Sequence, residues 1–174
     1  MNLAVFANIY DCDYIHEWRQ GIASQFDKDF EIVYYEHKHI NTALERILDN
    51  YTHLLFLDID DIPQPALIST AKQYLDYDVV GFGRRLFGEK EGMFGIPDGG
   101  FNLGAYYVWG FGNTMYSTDI LTELMPLTTD YDTVRRAFPS HYSMEWVDLP
   151  LIHYRTYGQN DKLVKYQGRW VWKS

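Results

Sequence analysis

Three carboxylates fall within four residues, at Asp58, Asp60 and Asp61, directly after the apolar run Leu54–Leu57 and just ahead of Pro63 and Pro65. Like charges this close repel one another unless solvent or a cation absorbs their field. Carboxylates two residues apart on a loop can turn toward one point, and hard oxygen donors suit a divalent cation such as Mn2+ or Mg2+. Asp58 and Asp60 have that spacing. The residues alone leave a second reading open, a solvated turn in which Asp61 caps the next helix. Another acidic pair, Asp130 and Asp132, leads into "TVRRAF", where Asp130 has the character of a helix N-cap.

Regular elements must hold these acids in place. Leu3–Ala7 reads as a buried strand, and Ile15, Trp18, Ile22 and Phe26 recur at helical spacing. Glu31–Tyr35 is a second strand. Thr42 and Glu45 offer a capping box for a helix whose inner face is Ile40, Leu44, Ile47 and Leu48. His53–Leu57 is a third strand, and Pro65 suits the first turn of a helix that turns Leu67, Ile68, Ala71, Tyr74 and Leu75 inward. A fourth strand follows at "VVGF". Strand and helix thus alternate through the first half, which predicts an α/β domain with a mostly parallel sheet flanked by helices. Ligands of such sheets sit beyond the carboxyl ends of the strands, and Asp58–Asp61 lie at such an end.

The second half is less regular. Ten of the thirteen glycines fall between Gly81 and Gly112. That segment reads either as a flexible loop set over a site or as a meandering pair of strands with glycine turns. Strand character returns at Tyr106–Trp109, and Thr118–Met125 forms a short helix capped by Ser117 or Thr118. The tail from Lys162 carries Lys162, Lys165, Arg169 and Lys173 among Tyr166, Trp170 and Trp172, without an acid. An edge strand with charged outer positions accounts for it, and a basic cover for a diphosphate, an anionic membrane or nucleic acid is the functional alternative.

Bulk properties narrow the class. The 174 residues suffice for one domain with a real core. A net charge of −9 opposes broad contact with phosphate backbones. Cys12 is the only cysteine, so neither an internal disulfide nor a cysteine-based zinc cluster forms, and a reducing, cytoplasmic setting is expected. The first residues have no basic leader, and their apolar run is too short for a signal peptide or a transmembrane segment. Fifteen tyrosines supply flat faces with polar tips, a surface that suits sugars and bases.

Several segments, in order, resemble family 2 glycosyltransferases of the GT-A fold. "THLLFLDIDDIPQPALI" resembles the family's Asp-x-Asp region. "LAVFANIYD" is similar to its first strand and the turn after it, and "FEIVYYEHKHINTALERIL" to its second strand and the adjoining segment. "TTDYDTVRRAF" resembles its Glu-Asp motif, and "PLIHYRTYGQND" its late Tyr-Arg-x-His-x-x-Asn motif. Thr129 replaces the Glu of the Glu-Asp motif, Tyr157 replaces the late His, and Glu36 stands where an Asp is usual. The chain is also shorter than typical members.

The resemblance implies a Rossmann-like, GT-A-like single domain, with residues 1–80 as the nucleotide-binding half and 81–174 as the acceptor side. It implies a nucleotide-diphosphate sugar donor and a sugar transferred with inversion to an acceptor hydroxyl. Asp130, with Asp132 nearby, would be the general base. Asp58 and Asp60 would hold Mn2+ or Mg2+, with His153 as a third ligand in place of the missing late His. Arg155 would reach the diphosphate. Phe6, Ala7, Glu36, Asp58 and Trp109 would line the donor site. The acceptor is left open among a glycan, a lipid-linked sugar, a small molecule and a modified nucleobase. The same residues admit two alternatives: a non-catalytic nucleotide-sugar-binding protein, and an Asp-based phosphotransfer hydrolase. The hydrolase is disfavoured, because its motif normally follows the first strand.

Overall fold

Residues 2–10, 13–95, 106–107, 111–127, 142–157, 163–166 and 168–173 are described by a computed structural model. Strand β1 (Leu3–Asn8) runs parallel to both β2 (Glu31–Tyr35) and β3 (His53–Asp58), with Asn8 level with Tyr35 on one side and Asp58 on the other. Alternate residues enter two cores on opposite faces. Ala4, Phe6, Leu54 and Phe56 join one, while Leu3, Val5, Ala7, Leu55 and Leu57 join the other. Burial on both faces is the reason these strands read as unbroken apolar runs. Each of the larger side chains, the leucines, valine and phenylalanines, contributes about 1.5–3 kcal/mol on burial.

Helix α1 (Ile15–Ala23) buries Trp18 and Ile22. It ends earlier than the periodicity predicts: Ser24 bonds the Gly21 carbonyl, and Phe26 is 74% exposed. Gln25 turns inward instead, where its amide reaches the carbonyls of Gly21 and Gln64 and its oxygen accepts from the Ile68 N–H. Helix α2 (Ile40–Ile47) starts ahead of Thr42, after a 3-10 turn at His37–His39, so the expected capping box does not form. Helix α3 (Leu67–Ala71) buries Leu67, Ile68 and Ala71 as expected. Between β3 and α3 lies the short strand β4 (Ile62–Pro63). A Cβ on Gly21 would stand 2.7 Å from the Pro63 carbonyl oxygen, so only glycine lets α1 lie this close behind the acidic loop.

The second half extends the sheet. Strand β5 (Val79–Gly88) is longer than "VVGF" and folds back antiparallel on β6 (Gly92–Phe94). Over this part of the glycine-rich segment the strand-pair reading holds. Strand β7 (Tyr106–Tyr107) follows, while residues 96–105 and 108–110 lie outside the described residues. Strand β8 (Thr114–Ser117) sits antiparallel between β3 and β5, and Ser117 caps α4 (Thr118–Leu124) by accepting the Ile120 N–H. Strand β9 (Met144–Thr156) is the surprise of the last third: thirteen residues, parallel to β5 and antiparallel to β4. The tail forms a hairpin, β10 (Leu163–Tyr166) and β11 (Arg169–Lys173), with β10 at the sheet edge. The whole is a mixed α/β domain whose parallel block β2–β1–β3 carries the acidic loop at its carboxyl end. No helix among the described residues is long and apolar enough to cross a membrane.

Candidate functional site

A pocket of about 760 Å³ opens at the carboxyl ends of β1 and β2. Its lining comes from Asn8 at the end of β1 and Ile9 and Tyr10 after it, from Ile15 and Arg19 on α1, and from Tyr34, Glu36, His37 and Lys38 around the end of β2. Tyr10 and Tyr34 are 43% and 47% exposed, so aromatic faces remain open on its walls. Glu36 lines the pocket and pairs with Lys38 at 2.8 Å, which holds its carboxyl below the usual range. Phe6 and Ala7, expected to line the donor site, are fully buried in the two cores: Phe6 stacks on Tyr35 with ring centroids 4.0 Å apart. They support the pocket wall from behind.

Asn8 and Tyr10 link this pocket to the acidic loop. Asn8 Nδ2 donates to Asp58 Oδ1 at 3.1 Å, while Asn8 Oδ1 is buried without a hydrogen-bond partner. Tyr10 hydrogen-bonds Asp60, and the Tyr157 hydroxyl donates to Asp60 Oδ2. Burial and these bonds push both phenols above their usual pKa, so they remain donors at neutral pH. Asp61 points inward and is fully buried. Its Oδ1 accepts the Arg155 N–H at 3.3 Å and its Oδ2 has no partner. It does not cap α3, whose first turn is preceded by Ala66.

A buried cation faces these acids. Arg84 on β5 is 3% exposed, donates to Asn113 Oδ1 at 2.9 Å and lies 4.6 Å over the Tyr154 ring. Its charge draws down the pKa values of both Asp58 and Asp61. Desolvation is the larger effect at each, so both carboxyls still sit above the usual range, Asp61 well above, with the negative charge of Asp60 adding to the rise. Gly112 closes the group: a Cβ there would stand 2.5 Å from Asp58 Oδ2 and 3.0 Å from Arg84 Nη2.

Raised carboxyl values have a definite consequence for stability. Asp58 and Asp61 hold their protons more tightly in the folded protein than in the unfolded chain, where aspartates release them near about pH 3.9. Their contribution to stability is therefore greatest below that value and is lost as pH rises through the raised folded values. Asp27 and Glu36, held low by Lys72 and Lys38, act in the opposite sense, and the exposed Lys38–Glu36 pair is screened by solvent. Asp61→Asn is thus expected to raise the melting temperature at pH 8 by about 2–4 °C, the equivalent of about 1 kcal/mol, and to flatten the gain on acidification. A variant that melts lower at pH 8 would show instead that the Asp61 charge stabilises the fold.

The donor set fits a divalent cation in part. Asp58 and Asp60 supply two hard oxygens, the unpartnered Asn8 Oδ1 offers a neutral one, and Gly112 leaves the Asp58 carboxylate its room. Water and phosphate oxygens commonly complete such a shell. His153 is not gathered with them. It lies on β9 opposite Ile62 with its ring against Phe87, burial and Arg85 lower its pKa, and no three His, Cys, Asp or Glu among the described residues form a metal-holding group. The guanidinium of Arg155 pairs with Glu17 at 2.6 Å. Asp130, Asp132 and Trp109 lie outside the described residues.

Asn8, Tyr10 and Arg84 escape a reading by residue type. Asn8 and Tyr10 had a signal all the same, since they end and follow the first strand at the same sheet edge as Asp58. Arg84 had none, because a cation inside a glycine-rich stretch reads as surface.

The domain has a GT-A-like fold. Among solved structures, it is similar to residues 1–349 of S. aureus TarS in complex with UDP-GlcNAc, with a TM-score of 0.68 at 14% identity over 91% of this chain and 59% of that one. The same TarS segment in complex with UDP gives 0.64 at 15% identity over 90% and 61%. Rv0371c of Mycobacterium tuberculosis H37Rv, in complex with manganese, gives 0.50 at 11% identity over 89% and 88%. No protein-family profile matches the chain, and no curated protein matches it in sequence. The chain spans about three fifths of the TarS segment, and at these identities the likeness speaks for the fold.

Proposed function

We propose that the protein transfers a sugar from a nucleotide-diphosphate sugar to an acceptor hydroxyl, with inversion and with the help of Mn2+ or Mg2+. The observation that carries this reading is the junction at Asn8 and Tyr10, which line the open pocket and bond the carboxylates of Asp58 and Asp60. A nucleoside in the pocket between Tyr10, Tyr34 and Glu36 then directs its diphosphate toward the acidic loop. Asp58 and Asp60 are the residues to hold the cation, which when bound offsets charge on the departing diphosphate. Asp130 is the proposed general base, with Asp132 beside it. Asn41 on α2 fixes the approach to that segment, accepting the Leu127 N–H and donating to the Leu127 carbonyl. Trp109 is assigned to the donor sugar. The acceptor class is open, and the net charge of −9 weighs against nucleic acid.

UDP-GlcNAc, the ligand of TarS, is the first donor to test. At a hundredfold excess over its Kd, with Mn2+ present, it is expected to add about 2.7 kcal/mol of stability, or about 5–10 °C in melting temperature. A panel of nucleotide-sugars that leaves the melting temperature unchanged with metal supplied would overturn the reading. A second reading, a nucleotide-sugar-binding protein without turnover, draws on Tyr157 and Glu17, which occupy Asp60 and Arg155. It predicts the same thermal shift but no release of nucleotide diphosphate in any acceptor screen.

A further inference from the structure

We propose that Glu17 holds the place of the donor diphosphate on Arg155 in the ligand-free protein, so that donor binding exchanges a carboxylate for a phosphate on one guanidinium edge. This rests on the assignment of Arg155 as a diphosphate ligand. Arg155 Nη2 donates to Glu17 Oε2 at 2.6 Å, yet Nε, on the same edge, is buried with no acceptor. That edge is built to meet two oxygens of one anion, and Glu17 satisfies half of it.

The guanidinium has little freedom to swing toward another partner. Tyr14 lies 3.8 Å from it and Phe87 4.5 Å, and the Arg155 backbone N–H is bound to Asp61. The Arg155 N–H bonds Asp61 and, two residues on, Tyr157 bonds Asp60, so the end of β9 that carries Arg155 runs beside the acidic loop. Solvent exposure decides which partner leaves: the Glu17 side chain is 45% accessible and that of Arg155 16%. The carboxylate can withdraw into water while the guanidinium stays. An arriving diphosphate thus finds a fixed cation whose present anion is the movable one. Glu17 sets affinity for the diphosphate by competition, and the fraction of molecules with a free edge scales the observed Kd.

The test measures binding of inorganic pyrophosphate and of UDP, each with Mn2+, to the full chain by calorimetry. Glu17→Gln keeps the shape and removes the charge. It is expected to tighten both ligands about tenfold, and Arg155→Ala in the same chain is expected to erase the gain. Glu17→Asp, whose shorter carboxylate withdraws from the edge, is expected to tighten binding as well and serves if the glutamine variant does not fold. A merely structural ion pair predicts the reverse, a lower melting temperature with weaker binding. Equal or weaker binding by the Glu17 variants, with Arg155→Ala still weakening the parent, overturns the role of Glu17 and leaves Arg155 a ligand. No binding of either probe to any form overturns the donor assignment itself.

Discussion

Asp60→Ala is expected to abolish the metal-dependent thermal shift and to lower sugar transfer by roughly 10²–10³-fold, the scale on which a single charge-stabilising group acts in a transition state. Asp60 is 7% exposed and carries the hydroxyl of Tyr157, with Tyr10 bonded to it as well. Its loss removes one of the two carboxylates assigned to the cation and the carboxylate to which both phenols are bonded. Asp60→Asn separates the two effects, since an amide oxygen still accepts from the phenols but adds no charge. If the metal is the cause, the asparagine variant loses the Mn2+ response while keeping its metal-free melting temperature. An alanine variant with parental turnover and a parental Mn2+ response would remove Asp60 from the mechanism.

Arg84→Ala is expected to be the most destabilising single change, by about 3–5 kcal/mol, which is the cost of leaving buried charge uncompensated. In a chain of this size that corresponds to a fall of about 6–20 °C in melting temperature, read by heat or denaturant unfolding. Several consequences add. Asp58 and Asp61 lose the cation that lowers their pKa values, Asn113 loses its bond from the guanidinium, and the rings of Tyr154 and Phe94 lose the cation lying over them. Arg84→Lys keeps the charge but not the planar fork, so it is expected to recover only part of the loss. A loss below about 1 kcal/mol for the alanine variant would mean that the acids are neutral in the folded protein and need no counter-charge.

The sequence was most legible where one periodicity ruled. The runs at Leu3–Ala7 and His53–Leu57 are buried on both faces, and the alternation of strand and helix leads directly to the block β2–β1–β3. It was least legible where polar partners override pattern. Phe26 continues a helical spacing yet lies in solvent, because Gln25 takes the inward position with three hydrogen bonds. Thr42 and Glu45 have capping-box spacing, but His37–His39 start the turn earlier. The resemblance puts Phe6 and Ala7 at the donor site, yet strand alternation sends them into the two cores.

That carboxylates end the third strand of an α/β sheet could be read from the order of residues, since apolar runs, prolines and acids are local properties of the chain. The task of each carboxylate could not, because it is set by long-range contacts. Asp58, Asp60 and Asp61 have the same chemistry and nearly the same position, but Asn8, Tyr157 and the Arg155 N–H come to them from 50, 97 and 94 residues away. A charge is defined by what surrounds it, and those surroundings exist only once β1, β5 and β9 have closed around the loop.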